Sequence, residues 1–235
     1  MNKKALLSLG FTALFSSVSM GQTIIAYWDQ NSNDLPAGGF GFTTSSFPQD
    51  ADLGNGTLTI GGVSFAVNAG DVYTSIQSFG GTTVNAQGGA PAGGSFSPQG
   101  GQDNENNGMY FDLNVDLGLW EGITVSWAQR GTSSGFTDRQ FSYSVDGGVS
   151  FTDVGSDTGA LGSAFTLQSY DLTSVTALNG ASNTVFRVTL DGATGASGNN
   201  RFDNILVGGT QIPEPSATFL VLGAAGLAVL RRRRA

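Results

Sequence analysis

Phe141-Ser142-Tyr143-Ser144-Val145-Asp146-Gly147-Gly148-Val149-Ser150-Phe151 is the stretch that decides the fold. Apolar and polar side chains alternate from Phe141 to Val145, the period of a strand with one face buried. Asp146-Gly147-Gly148 supplies turn residues that accept positive φ, and Val149-Ser150-Phe151 opens a return strand. The same alternation recurs in Ile123-Thr124-Val125-Ser126-Trp127 and in Phe186-Arg187-Val188-Thr189-Leu190. Further strands are expected at Thr23 to Trp28, Gly56 to Ile60, Val63 to Val67, Val72 to Phe79, Met109 to Val115 and Phe202 to Val207. Turn pairs such as Asn55-Gly56, Asn107-Gly108 and Asn179-Gly180 separate them. Residues 87–107 are almost all Gly, Ala, Ser, Pro, Gln and Asn and read as one long surface loop. A short helix is expected at Ser174 to Leu178. About ten half-buried strands in roughly 190 residues predict an all-β fold, an antiparallel two-sheet sandwich that is jelly-roll-like, over residues 22–211.

The chain of 235 residues has no Cys and no His, with 36 Gly and 16 Phe. Disulfides, Cys/His zinc sites and nucleophile systems built on His are therefore excluded. Charge is segregated. Between residues 22 and 212 four arginines face 17 carboxylates, a balance of −13, and there is no Lys. Such a body repels phosphate backbones, so a nucleic-acid partner is not expected.

Each terminus carries an address. Lys3 and Lys4 precede an apolar stretch from Ala5 to about Val18, and small residues flank a cut before Gln22. Residues 1–21 thus read as a secretory signal peptide with a short apolar helix. At the other end, in residues 212–235, Pro213-Glu214-Pro215 leads into an apolar run ending at Leu230, followed by Arg231, Arg232, Arg233 and Arg234. Four Arg stay cytoplasmic under the positive-inside rule, so the run reads as a transmembrane helix that holds the chain in the inner membrane with its body outside.

This tail resembles the PEP-CTERM sorting signal of Gram-negative bacteria, matching its three parts in order. The resemblance implies processing near Pro213, Glu214 and Pro215 by a membrane protease of the exosortase type, and delivery to the cell surface or extracellular matrix. It covers roughly the last tenth of the chain and names an address, not an activity. Tyr143 to Phe151, Tyr170-Asp171-Leu172 and Arg201 to Ile205 are similar to strings in surface-anchored bacterial β-sandwich domains.

Chemistry in the body rests on carboxylates, aromatics and Arg. Glu105, Glu121, Asp112 and Asp116 are the candidates for a glycosidase pair, yet none shows a partner or an apolar setting that raises its proton affinity. The oxygen-rich run Asp103 to Asn107 suits a hard cation but lacks regular ligand spacing. Phe202-Asp203-Asn204-Ile205 resembles the closing strand of many jelly-roll carbohydrate-binding modules, which implies a structural calcium held by Asp203 with Asp29 as its neighbour. An ion pair with an Arg or a strand-end turn bond is the alternative for Asp203. Trp120 is the candidate sugar platform. Arg130 and Arg139 bracket a Gly/Ser/Thr loop that either holds an acidic sugar or pairs with the surplus of Asp, and pairing is the simpler expectation. The expected function is a non-enzymatic structural or adhesive protein of the exopolysaccharide matrix. A carbohydrate-binding module and a carboxylate-based polysaccharide hydrolase are the alternatives. Its expected partners are the export machinery, an exosortase-type protease, the inner membrane during sorting, and polysaccharide.

Overall fold

The computed structural model describes residues 22–31 and 40–213. The signal helix expected at 1–21 and the transmembrane helix expected after Pro213 lie outside the described residues, as do Glu214, Pro215 and the Arg tetrad. Among the described residues no helix is long and apolar enough to cross a membrane.

The first half of the chain forms β1 (Thr23–Trp28), β2 (Phe40–Thr43), β3 (Gln49–Asp50), β4 (Leu53–Gly54), β5 (Thr57–Gly61), β6 (Val67–Asn68), β7 (Val72–Gly80) and β8 (Gly94–Pro98). The second half forms β9 (Met109–Val115), β10 (Trp120–Gly131), β11 (Asp138–Ser144), β12 (Thr152–Thr158), β13 (Thr166–Asp171), β14 (Thr184–Asp191) and β15 (Asn200–Gln211). One sheet runs β13-β10-β15-β8-β7-β2, with β1 on β15, β4 on β1 and β6 on β7. The other runs β12-β11-β14-β9-β5-β3. Every pairing is antiparallel, so the chain is an antiparallel two-sheet sandwich as its alternation predicts.

The core between the sheets is aromatic. Phe96, Phe111, Trp127, Phe141, Phe186 and Phe202 are all buried. Phe96 lies 5.6 Å from Phe111, Phe111 lies 5.0 Å from Phe202, and Trp127 lies 5.7 Å from Phe141. Ring pairs at such separations add about 0.5–1.5 kcal/mol each beyond the area they bury. A chain without disulfides is held in this way.

The hairpin of the opening stretch forms, with Phe141 opposite Gly155 and Tyr143 opposite Thr152. Its return strand starts at Thr152 rather than Val149, because Asp146 first accepts the backbone N–H groups of Val149 and Ser150 in a wider turn. The loop expected at 87–107 is interrupted by β8, whose five residues are all buried. Phe96 supplies the apolar anchor, and small Ser side chains let the neighbouring strands close in. The expected helix at Ser174 to Leu178 is a single 3₁₀ turn, Thr176–Leu178.

Candidate functional site

β15 changes partner halfway along. Phe202 lies opposite Phe96 of β8, whereas Ile205 to Gly209 lie along β1. On its other side the register against β10 slips between Ser126 and Ala128, and Asn204 has a φ of 50°. The extra residue turns both Asp203 and Asn204 away from the core, between Phe202 and Ile205, which stay in it. The segment after β7 folds over them. Asp203 accepts the N–H of Thr82 at 2.6 Å and that of Asn204 at 2.8 Å. The Asn204 amide donates to Thr82 O at 2.7 Å and Val84 O at 2.9 Å, and its Oδ1 accepts from the Tyr27 hydroxyl. Asn85 donates to Asn204 O at 2.7 Å.

Asp203 is fully buried, and burial pushes its carboxyl up to about 8, with nearby Asp29 acting in the same direction. Burial likewise raises the Tyr27 hydroxyl to about 12. The expected neighbours Asp203 and Asp29 therefore do meet electrostatically. Asp29 accepts the N–H of Asn31, and its own N–H donates to Asp52. Around Gly81 the oxygens crowd: a Cβ there would lie 2.0 Å from Gly94 O, 2.3 Å from Ala92 O and 2.4 Å from Asp203 Oδ2. Among the described residues no group of three or more His, Cys, Asp or Glu could hold a metal ion. The donor set fits a hard cation only if backbone carbonyls join the Asp203 carboxylate, a mixture that Ca²⁺ accepts.

The outward face of the second sheet is built differently. Arg187 of β14 donates to both oxygens of Asp112 at 2.7 Å across the β9–β14 pair. Its guanidinium lies between two rings, 3.5 Å from Tyr110 and 4.0 Å from Phe151. Thr59, Asp112, Arg187, Ser142 and Asp153 form one row across five strands. Asp112 thus has a partner that its sequence setting does not reveal. Asp116 accepts the N–H of Gly118 in a local turn.

Other candidates are also placed. Arg139 is 1% exposed, bonded to Asp157 at 3.0 Å, Phe136 O at 2.6 Å and Gly159 O at 2.9 Å, so one of the two loop arginines pairs as expected. Arg130 has no carboxylate among the described residues. In the Asp103 to Asn107 run, Asn106 donates to Ser75 and Gln99, and Asn107 bonds both the N–H and the C=O of Ala193. Those amides lock the loop to the sandwich. Trp120 begins β10, half-buried and packed against the core. Pro213 is exposed at the end of the described chain. Sequence reading missed Tyr27, Gly81, Tyr110 and Phe151 because each acts through a partner more than 30 residues away, and it quoted Asn204 only as part of the Phe202 to Ile205 motif. The positive-φ turn chemistry of Asn204 was the one local signal for the bulge.

No family model matches the chain, and no curated protein matches it. Among solved structures, TmCBM61 in complex with β-1,4-galactotriose is 12% identical, covering 64% of this chain and 86% of its own, with a TM-score of 0.38. The xylan-binding module CBM15 is 9% identical, covering 66% and 99%, with a TM-score of 0.39. A cleaved adhesin domain of Lys-gingipain from Porphyromonas gingivalis is 13% identical, covering 67% and 91%, with a TM-score of 0.40. Likenesses this distant carry no argument about function.

Proposed function

We propose that this chain is an exported, non-enzymatic β-sandwich of the bacterial cell surface or extracellular matrix that contacts polysaccharide through its outward sheet faces. Residues 1–21 direct export. Pro213, Glu214, Pro215 and Arg231 to Arg234 retain the chain in the inner membrane and present it to an exosortase-type protease, after which the body is displayed outside.

One contrast carries the non-enzymatic reading. The carboxyl with the strongly raised proton affinity, Asp203, is 0% exposed, and Asp112 has both oxygens on Arg187. A glycosidase needs one raised and one ionised carboxyl facing the same substrate. Tyr110 and Phe151, both held against Arg187 on the second sheet, support the polysaccharide reading, since rings fixed by such contacts offer apolar contact at low entropic cost. Asp203 with the carbonyls of Ala92 and Gly94, and Asp29 beside them, would hold a structural Ca²⁺ that pins the Gly81 region onto β15.

Protein recovered from its native cells, run by affinity electrophoresis through gels containing the cells' own exopolysaccharide, is expected to be retarded without degrading the polymer. Unretarded migration, or a fall in polymer chain length, overturns the reading.

A further inference from the structure

The outward face of the first sheet carries the other two arginines of the body. Arg130 of β10 and Arg201 of β15 are directly opposite each other. Both point away from the core, because their neighbours Gln129 and Phe202 are buried in it and are themselves paired. Like charges facing across two strands destabilise a sheet. With 17 carboxylates in the body, relief is close to hand, and Arg139 and Arg187 each take one. Arg130 and Arg201 take none among the described residues. Arg201 donates only to neutral oxygens, Gly80 O at 3.2 Å and Asn199 Oδ1 at 3.4 Å. Arg130 keeps a buried Nε with no hydrogen-bond partner.

Each guanidinium instead leans on a ring. Arg130 lies 5.6 Å from the Phe165 centroid and Arg201 lies 4.7 Å from that of Phe79. The order across the sheet is therefore ring, cation, cation, ring, with Leu167 56% exposed beside it. Arg187 shows the same arrangement completed, with rings on both sides and a carboxylate in the fork. In the Arg130–Arg201 row the carboxylate is the missing part.

We infer that Phe165, Arg130, Arg201 and Phe79 form a binding site for the carboxylate groups of an acidic, uronate-type polysaccharide. Guanidinium forks match carboxylate geometry, and the flanking rings match the C–H faces of the sugars on either side. Two cations suit a polymer whose charges are spaced apart by sugar rings, while the body's balance of −13 repels a denser polyanion. The inference deepens the polysaccharide reading above and rests on it.

The test is affinity electrophoresis of the full chain through polygalacturonate, neutral dextran and dextran sulfate. Retardation by polygalacturonate, weaker in the other two, is expected. Arg130→Gln should weaken it about tenfold, Arg201→Lys, which keeps the charge but loses the fork, should weaken it less than Arg201→Gln, and the double Gln variant should abolish it. Arg130→Gln should melt no lower than the parent, since one of two repelling charges is gone, so loss of binding is not loss of fold. Unchanged retardation of Arg130→Gln overturns the site. Equal retardation by dextran sulfate overturns the carboxylate assignment. Retardation by dextran but not polygalacturonate overturns this inference alone, and no retardation by any polymer overturns the polysaccharide reading with it.

Discussion

The hydroxyl of Tyr27, on the first strand, donates to Asn204 on the last, and both residues are wholly buried. The same hydroxyl accepts the N–H of Gln87 at 3.1 Å, so one oxygen joins the first and last strands to the segment that covers them. Tyr27→Phe leaves Asn204 Oδ1 and the Gln87 N–H without that partner. Chemical denaturation should show a loss of about 2 kcal/mol, against a few tenths for an exposed Tyr→Phe change. A loss within the exposed range would mean that the knot does not join the two strands.

Asp203 makes stability depend on pH. Its carboxyl keeps its proton in the folded chain up to about 8, against an ordinary value of 3.8. The folded state therefore holds the extra proton across that window, and stability falls as pH rises through it, levelling off above pH 8. The drop is roughly 6 kcal/mol as an upper figure. Asp146 and Asp171, both held low by hydrogen bonds, act in the opposite sense and only in more acidic solution. Asp203→Asn, measured with chelator present, should flatten stability between about pH 4 and pH 8; an unchanged slope assigns it to another group.

Calcium should reverse that cost. Millimolar Ca²⁺ is expected to raise the melting temperature of the parent chain and leave Asp203→Asn unmoved. Gly81→Ala should also lose the response, because its Cβ meets the Gly94 and Ala92 carbonyls at 2.0 and 2.3 Å. A parent melting temperature insensitive to both Ca²⁺ and chelator removes the cation from the account.

Arg139 predicts the largest single effect. It is 1% exposed and ties Asp157 to the carbonyls of Phe136 and Gly159. Gln129 donates to the same Asp157 oxygen and accepts from the Trp127 indole, so the pair belongs to a chain of polar groups that runs from the core to the partly exposed Asp157. Arg139→Ala should cost about 3–5 kcal/mol. A cost below 1 kcal/mol would show that this network relaxes freely.

The sandwich was legible because alternation is a local signal, present in Phe186 to Leu190 whatever lies beside it. β8 was not, since Gly94-Ser95-Phe96-Ser97-Pro98 has the composition of a loop and becomes a strand only when Phe96 meets Phe111 and Phe202. The proximity of Asp203 and Asp29 was legible because Asp203 lies on the last strand and Asp29 directly follows the first. The Gly81 contacts were not, for no sequence spacing reports which carbonyls will converge on a glycine. Arg130 shows the same limit: its loop partner Arg139 is visible in the sequence, whereas its facing residue Arg201 depends on the β10–β15 register.

Export and display carry the whole functional account, and the intact mass of the protein recovered from the surface and cytosolic fractions of its native cells tests them most directly. The account predicts a species shortened at both ends, lacking residues 1–21 and the apolar segment with its Arg tetrad. A mass of 24.1 kDa, found in the cytosol, would contradict it.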